Sequence, residues 1–410
     1  GMNAPLLLHF ITSELIARAD VSVMAHHRLH AGIAMAALVL SIEEGTTRFD
    51  TERGRVIETR FREAIDEIVA GEAWGCVDIA EPGAGSDMSA LRTVGEADEH
   101  GNWFVSGEKT FTPSGHGKWH FVLARTESVD ASKDSGASSS LSLFLVPTYY
   151  DDVSGERIRV VQIRRAESAP RFATCVLAFN RAPAMLVGER GAGFKHLLAL
   201  MNGAHVAFGF ECLGLCEAAY RRARQDTQGR TSTGKPLDRH ELIADHLDEM
   251  EADIVSLRAM AMKAAYHEEL AQKLALRLRQ SEKCSDEERK SLERALVEHR
   301  AAARRITPLL AYCAAHKAME LSRRSAQIRG DNGYIIDAGA EKLRRDALTL
   351  PVYDGASHVH ALAAMRDTLG GVTNHPQEFV RALAQARWRQ VSARDPLEKR
   401  VGRLQYLSLS

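Results

Sequence analysis

The sequence predicts a mainly α-helical protein with a β-sheet domain in its middle. Three observations lead to this fold class. The first and last parts of the chain repeat apolar residues with the 3.6-residue period of helices. Between them lie short runs of β-type residues separated by Gly, Pro, Ser and Asp. With 410 residues, the chain is also long enough for two or three separately buried cores.

The N-terminal region, residues 1–73, is predicted to be helical. In "ITSELIARA" a Ser/Thr-then-Glu pattern indicates a helix start, and "TRFREAIDEIVAGE" indicates a helix that ends at Gly71. The longest apolar run, Ala31 to Ile42, is too short for a bilayer span and lacks the flanks of a signal peptide. It is therefore interpreted as a buried helix, and no membrane span is expected.

The middle region, residues 74–188, carries the runs "NWFVSG", "WHFVLART", "LSLFLVP", "IRVVQI" and "ATCVLAF". Their spacing is typical of an antiparallel barrel or sandwich of about a hundred residues. A Ser-rich segment within it, Glu127 to Ser140, is interpreted as a surface loop.

The last region, residues 189–410, has helical periodicity over segments of several turns joined by short connections. Such a pattern indicates a helical bundle. The charged stretch near 272–305 is interpreted as a solvated helical insert.

The composition excludes several kinds of partner. With 54 acidic and 53 basic residues there is no overall field to attract nucleic acid. The six cysteines form no Cys-x-x-Cys pair, so reduced thiols and a cytoplasmic location are expected. His26 and His30 have helical spacing but no acidic or Cys partner nearby in sequence, and no metal site is predicted.

Four segments could carry chemistry. The loop "AEPGAGSDMSALRT" (80–93) is either a tight turn between strands or a loop that lets backbone N–H groups and the Ser86 hydroxyl approach a ligand, since Gly83 and Gly85 lack a Cβ. The others are "VSGEKTFTPSG" (105–115), "GRTSTGKPLDRHELI" (229–243) and "AQIRGDNGYIIDAGAEKLRRDALTLPVYDGAS" (326–357).

In this order the four segments resemble the acyl-CoA dehydrogenase family over roughly residues 74–369. The stretches "LSLFLVP" and "MNGAHVAFGFECLGLCEAA", with the helical insert, are most similar to its branch of larger enzymes that includes 3-methylmercaptopropionyl-CoA dehydrogenase. The resemblance implies a helical N-terminal region that is short for the family, a middle β-barrel and a C-terminal helical bundle, with FAD between barrel and bundle. It also implies α,β-dehydrogenation of an acyl-CoA thioester, an electron-transfer flavoprotein as acceptor, and a homo-oligomer, either a dimer or a tetramer.

The resemblance also assigns residues. Asp354 falls on the carboxylate that removes the substrate α-proton, and the positions implied to contact the acyl-CoA are Ser86, His205, Tyr353 and Gly355. The positions implied to contact FAD are Ile79, Ala80, Gly85, Ser86, Phe111, Thr112, Ser114, Arg230, Ser232, His240, Gln327, Gly330, Ala356 and His358.

The chain departs from the family pattern near the implied flavin. Asp354 replaces the common Glu and withdraws the carboxylate by about 1.5 Å. Ala204 occupies the helix position where some relatives carry the carboxylate instead. Further departures from the family pattern near the implied flavin are Ala80, Pro113, Ala356 and Asp331. Two hypotheses follow: an active dehydrogenase with Asp354 as base, or a catalytically impaired member that serves as a binding or structural subunit, possibly in a hetero-oligomer.

Overall fold

The computed structural model describes residues 5–50, 55–127, 140–151, 154–168, 173–280, 285–336, 339–374 and 376–409. The chain is helical on both sides of a central sheet. The first part contains helices α1 (Leu6–Ala19), α2 (Val21–Glu43) and α3 (Arg62–Ala70) and the two-stranded hairpin β1 (Arg48–Asp50) and β2 (Arg55–Glu58). The hairpin was not expected from the sequence.

The helix ends in this part follow local chemistry. α2 begins after Asp20, whose carboxylate accepts hydrogen bonds from the backbone N–H groups of Ser22 and Val23. α3 ends, as predicted, at Gly71 with φ +76°. The predicted start of α1 was wrong: it begins at Leu6, and the Thr12 hydroxyl lies within the helix, where it bonds back to a carbonyl one turn earlier.

The middle part contains the strands of the main sheet. They are β3 (Gly75–Asp78), β4 (Val94–Ala97), β5 (Trp103–Pro113), β6 (Trp119–Arg125), β7 (Leu141–Pro147), β10 (Val161–Ser168) and β11 (Ala173–Val187), with a small hairpin β8 (Tyr149–Asp151) and β9 (Arg157–Arg159) beside them.

The pairing of these strands makes the sheet curl on itself. β5 pairs with β11, β11 with β7, β7 with β6, and β6 returns to β4 through the pair Val94 and Arg125, while β4 pairs with β5. Most pairings are antiparallel as predicted. Those of β6 with β3 and β4 are parallel, which the short β-type runs did not indicate. The predicted Ser-rich loop lies almost wholly outside the described residues.

The last part is a bundle of long helices. α4 (Gly193–Gln228), α5 (Glu241–Gln280) and α6 (Asp286–Arg329) form its body, and α7 (Ala340–Ala347), α8 (Leu350–Tyr353) and α9 (Ser357–Asn374) pack along it. The hairpin β12 (Thr231–Ser232) and β13 (Lys235–Pro236) joins α4 to α5, and α10 (Pro376–Ser392) and α11 (Pro396–Leu409) follow. The charged stretch near 272–305 is helical in its described part and mostly exposed, as predicted.

Helix α2 connects the two main cores. Its first residues, including Val21 and Met24, are buried against α1 and α4 in the bundle core. Its second half, with Ile33 and Leu40, is buried against Phe61 and the strands. α2 therefore lies where the sheet and the bundle meet.

Within the described part of the chain, two helices, α2 and α4, are long and apolar enough to cross a membrane by length and composition alone. Both contribute buried side chains to the cores of this fold, however, as Met24 and Phe210 illustrate. The predicted buried helix over Ala31 to Ile42 forms the C-terminal half of α2.

Candidate active site

Asp354 lies in a sharp turn between α8 and α9. Its backbone leaves the helical conformation (φ −107°, ψ 46°), and Gly355 adopts φ +98°. A Cβ atom at Gly355 would lie 3.1 Å from Nε2 of His360, and this φ value already disfavours any other residue. The Tyr-Asp-Gly sequence thus suits a turn that leaves the Asp354 side chain 12% exposed.

The Asp354 carboxylate is paired with a buried arginine from α2. Nη1 of Arg28 lies 3.3 Å from Oδ2 of Asp354, and Nε of Arg28 donates a hydrogen bond of 3.0 Å to Oε2 of Glu211 on α4. The side chains of Arg28 and Glu211 are 4% and 0% exposed. We call Arg28, Glu211 and Asp354 the Arg28 cluster. It joins three elements from distant parts of the chain.

The guanidinium of the Arg28 cluster is held by charge and by aromatic rings. Its carbon lies 5.5 Å and 5.8 Å from the ring centres of Tyr353 and Phe208. Burial is the largest single effect and lowers the pKa of Arg28, but Asp354, Tyr353 and Cys212 together outweigh it, so that the pKa stays above its usual value. Arg28 is therefore a permanent cation between two carboxylates.

Two histidines complete the surroundings of Asp354. Nε2 of His205 lies 4.0 Å from Oδ2 of Asp354. Burial lowers the pKa of His205 to about 4, because the Asp354 carboxylate only partly opposes it and His360 and Arg28 lower it further. His205 is thus neutral at pH 7 and forms no ion pair. His360 donates from Nε2 to the backbone oxygen of Asp354 at 3.0 Å, and burial lowers its pKa as well.

Helix α2 also reaches the turn after strand β5. Nδ1 of His26 lies 2.5 Å from the hydroxyl oxygen of Ser114. His26 and Arg28 are two residues apart, so they project from different sides of the helix. One helix therefore contacts both the Ser114 turn and Asp354.

The end of β5 has unusual backbone geometry. Phe111 has φ +53° and is 65% exposed, and Ser114 has φ +59°. Non-glycine residues seldom adopt these values, and such positions concentrate at functional sites. Between them, the hydroxyl of Thr112 is buried and has no hydrogen-bond partner. The exposed Phe111 ring offers an apolar face to a ligand, and the buried Thr112 hydroxyl is a polar group without a protein partner.

Side chains beneath the Ser114 turn hold it in place. Sγ of Cys76 donates to the carbonyl of Ser114 at 2.9 Å, and the Thr148 hydroxyl donates to the carbonyl of Gly117 at 2.6 Å. Thr148 is bonded in turn to His120, which pairs with Asp78 at 2.7 Å. The turn is therefore supported by a fully buried polar network.

The glycine-rich loop 80–93 is fastened by its glutamate. The Glu81 carboxylate accepts hydrogen bonds from the N–H groups of Arg92 and Thr93 and from Nζ of Lys109, at 2.6, 3.0 and 2.8 Å. Nζ of Lys109 also donates to the carbonyl of Ile79. The other part of this loop, with Gly85 and Ser86, is exposed. One end of the loop is thus a structural turn, and the other presents backbone and a hydroxyl to the surface, where a ligand contact stays a prediction.

A second group of predicted residues meets at the end of α6. Nη1 of Arg230 donates to the carbonyl of Arg329 at 2.8 Å. Gly330 has φ +61°, and a Cβ there would lie 3.3 Å from Nη2 of Arg230. Nε2 of His240 lies 3.1 Å from the carbonyl of Ser232 on the same connection. The structure thus brings Arg230 to Gly330, and His240 to Ser232.

Other predicted residues are placed with fewer contacts. Gln327 is exposed and accepts a hydrogen bond from Arg323, one turn earlier in α6. The carbonyl of Ala80 accepts the N–H of Thr110, which ties the loop to β5. Ala356 begins the turn into α9 and His358 is exposed. Among the residues that the structure describes, no group of three or more His, Cys, Asp or Glu is arranged to hold a metal ion.

Sequence reasoning missed four residues of this site: His26, Arg28, Glu211 and His360. A signal was present for two of them. Arg28 and Glu211 are charged residues inside the apolar helical stretches "VMAHHRLHAGIAMA" and "VAFGFECLGLC". Charges on buried helix faces need a partner of opposite sign, so each could have suggested the other.

Models of known protein families match most of this chain. The model of the acyl-CoA dehydrogenase middle domain matches residues 76–181, and that of the acyl-CoA dehydrogenase C-terminal domain matches residues 191–281 and 288–369. The 3-methylmercaptopropionyl-CoA dehydrogenase of Ruegeria pomeroyi is 26% identical over 380 residues, which are 88% of this chain and 58% of that protein.

Two further relatives show how far the similarity extends. The cyclohexane-1-carbonyl-CoA dehydrogenase of Geobacter metallireducens is 25% identical over 71% of this chain and 67% of its own length. The butyryl-CoA dehydrogenase of Megasphaera elsdenii has the same fold, with a TM-score of 0.68 at 21% sequence identity, covering 90% of this chain and 83% of that one.

Proposed function

Because the chain belongs to the acyl-CoA dehydrogenase family, we propose that it abstracts the α-proton of an acyl-CoA thioester with Asp354 as the base. The α-proton of a thioester is a weak acid, so the base has to be held in contact with the carbon. When bound, FAD supplies the acceptor for the β-hydrogen, which leaves as hydride.

The position of Asp354 carries this proposal. Its carboxylate lies at the meeting point of α2, α4 and α8, and it is the most exposed member of the Arg28 cluster, at 12% against 4% and 0%. Neutral His205, also predicted to contact the acyl-CoA, lies beside it. Proton transfer would break the α-carbon–hydrogen bond, leave the electron pair on the thioester as an enolate and place the proton on a carboxylate oxygen of Asp354.

The residues near the Ser114 turn fit a flavin. The exposed Phe111 ring offers an apolar face, and the unpartnered Thr112 hydroxyl offers a hydrogen bond. Arg230, beside the strained backbone of Gly330, supplies a cation suited to a diphosphate. We infer that Phe111 and Thr112 contact the flavin bound to this chain and that Arg230 reaches the diphosphate of an FAD bound to a neighbouring subunit, with Ser86 on the exposed end of the glycine-rich loop approaching the acyl-CoA.

A second candidate function is favoured by the ion pair itself. A guanidinium beside a carboxylate stabilises its charged form and makes it a weaker base. Asp354 is also one methylene shorter than the common Glu. A catalytically impaired family member that serves as a binding or structural subunit is therefore the alternative.

The partners are proposed by analogy with the family: an electron-transfer flavoprotein as acceptor and a homo-oligomer, dimer or tetramer, as the assembled form. A cytoplasmic location is part of the same proposal. The thiols of Cys76 and Cys216 are buried and free, and burial raises the pKa of both, so that they stay protonated.

Flavin reduction separates the two candidates. The purified protein with added FAD is mixed anaerobically with a panel of acyl-CoA thioesters, and the absorbance of the flavin band is followed. An active dehydrogenase bleaches with at least one of them, and Asp354→Asn abolishes the bleaching. The matched control is Asp367→Asn, which removes a carboxylate paired with exposed Arg304. Flavin binding without bleaching across the panel would leave the impaired subunit as the function.

A further inference from the structure

We propose that Arg28 is a positioning residue for the proposed base: anchored by Glu211, its guanidinium orients the Asp354 carboxylate and maintains it in the ionised form. This inference deepens the proposed function and rests on it for its role in the reaction. The ion pair itself is open to a separate test.

The anchoring follows from the burial of the three groups. Glu211 is completely buried on α4 and fixes Nε of Arg28, so that Nη1 is directed at Asp354. α2 is held at its start by the Asp20 cap and by Met24 in the bundle core. The guanidinium therefore has little freedom to follow Asp354 if the carboxylate moves, and it acts as a fixed point.

The electrostatic effect has a definite sign. The Arg28 cluster contains one cation between two carboxylates, and the other titratable groups that face it are His205, Cys212, Tyr353 and His360. Both histidines are kept neutral by burial. The charge on Arg28 therefore favours ionised Asp354, and the charge on Glu211 opposes it.

The Arg28 cluster affects Asp354 in opposite ways before and after proton transfer. Before the transfer, Arg28 keeps Asp354 ionised and therefore able to accept a proton at mildly acidic pH. After the transfer, a neutral acid lies beside the guanidinium, so release of the proton to solvent is favoured. The expected cost is weaker basicity, which slows abstraction from a poorly acidic α-carbon.

Exchange of the α-protons tests this role without requiring hydride transfer. The FAD-loaded protein is incubated anaerobically with butyryl-CoA in D₂O, and deuterium uptake is measured by mass spectrometry from pH 4 to 9. Arg28→Gln should move the acidic limb of the exchange rate to higher pH by roughly 1–3 units. Glu211→Gln should move it to lower pH, and Arg28→Lys should restore most of the original profile.

Opposite shifts distinguish electrostatic positioning from a merely structural role. Damage to the fold would lower the exchange rate of both variants, but it would not shift the acidic limbs of their pH profiles in opposite directions. Shifts of Arg28→Gln and Glu211→Gln in the same direction, or unmoved limbs, would overturn the proposal. If Arg28→Gln fails to fold with two uncompensated carboxylates, the double variant Arg28→Gln/Glu211→Gln removes both charges and should still show the upward shift.

Thermal unfolding tests the ion pair even if no thioester reacts. At pH 8, Arg28→Gln should lower the Tm less in an Asp354→Asn background than in the wild type, because the lost partner is already absent. The control is Arg258→Gln, which removes another arginine that bridges two carboxylates, Glu14 and Glu217, and its effect should be independent of Asp354.

The two tests separate the failures. If the Tm changes of Arg28→Gln and Asp354→Asn are coupled but neither exchange nor bleaching occurs, the ion pair is supported and the proposed reaction is refuted. If the Tm changes of Arg28→Gln and Asp354→Asn are additive, the ion pair and the positioning role of Arg28 are both refuted, whatever activity is found.

Discussion

Nη1 of Arg28 lies 3.3 Å from Oδ2 of Asp354, although 326 residues separate the two in the sequence. Asp354 lies within the residues matched by the C-terminal family model, whereas Arg28 precedes the matched residues. The surroundings of the proposed base are thus set partly by a helix outside the matched region.

Lengthening the base tests whether its reach limits the reaction. In Asp354→Glu the carboxylate moves outward by about 1.5 Å, and displacements near 1 Å can change rates by about a hundredfold. We expect faster reduction of bound flavin by the best acyl-CoA of the panel, by about tenfold to a hundredfold, in stopped-flow absorbance. Asp367→Glu on α9 is the control. A slower Asp354→Glu would mean that the Arg28 contact already places the shorter carboxylate correctly.

His205 should make the protein sensitive to mild acid. Its pKa is about 4 in the folded protein and about 6.5 in the unfolded chain. The unfolded state binds more protons between these values, so stability is complete above pH 6.5 and is lost as the pH falls toward 4. At about 1.4 kcal/mol for each pH unit of difference, charging His205 costs roughly 3 kcal/mol.

The His205→Gln variant isolates this contribution. Its midpoint of urea unfolding should fall less between pH 7 and pH 4.5 than that of the wild type. His100→Gln, at an exposed position of the β4–β5 turn, is the control and should retain the wild-type dependence. An unchanged pH dependence in His205→Gln would show that other groups carry the acid sensitivity.

The pair of Lys109 and Glu81 should be essential for stability. Burial lowers the pKa of Lys109, and Glu81 opposes that effect; the side chains are 0% and 5% exposed. Lys109→Met leaves the Glu81 carboxylate buried without its cation and should cost about 3–5 kcal/mol in urea unfolding. The double variant Lys109→Met/Glu81→Gln should recover part of this loss. Equal destabilisation of single and double variants would contradict the pairing.

Much of this fold follows from the sequence because it depends on local patterns. The helical periodicity, the short β runs and the Gly71 helix end each reflect neighbouring residues, and the structure agrees with them. The errors also have local causes. Thr12 and Ser13 look like a helix cap but bond back within α1, and the parallel pairings of β6 depend on the path of the whole chain.

The candidate site was predictable only where contiguous motifs carry it. Asp354 and Gly355 come from one recognisable segment, and Arg230 and Gly330 come from two segments that the structure brings together. Arg28 and Glu211 belong to no such motif, and their pairing requires packing of α2 against α4. A buried ion pair between distant helices is a property of tertiary structure, which local patterns do not encode.

The buried hydroxyl of Thr112 gives a test that separates cofactor binding from folding. It has no partner in the structure, so Thr112→Val removes an unsatisfied polar group and should leave the Tm without FAD unchanged or slightly higher. If the hydroxyl contacts the flavin, FAD affinity should fall by about tenfold, the worth of one hydrogen bond. Fluorescence titration with FAD measures this. Thr307→Val, at another buried and unpartnered hydroxyl in α6, is the matched control and should not alter FAD affinity. Equal FAD affinity of the Thr112→Val variant and the wild type would exclude this hydroxyl from the flavin site.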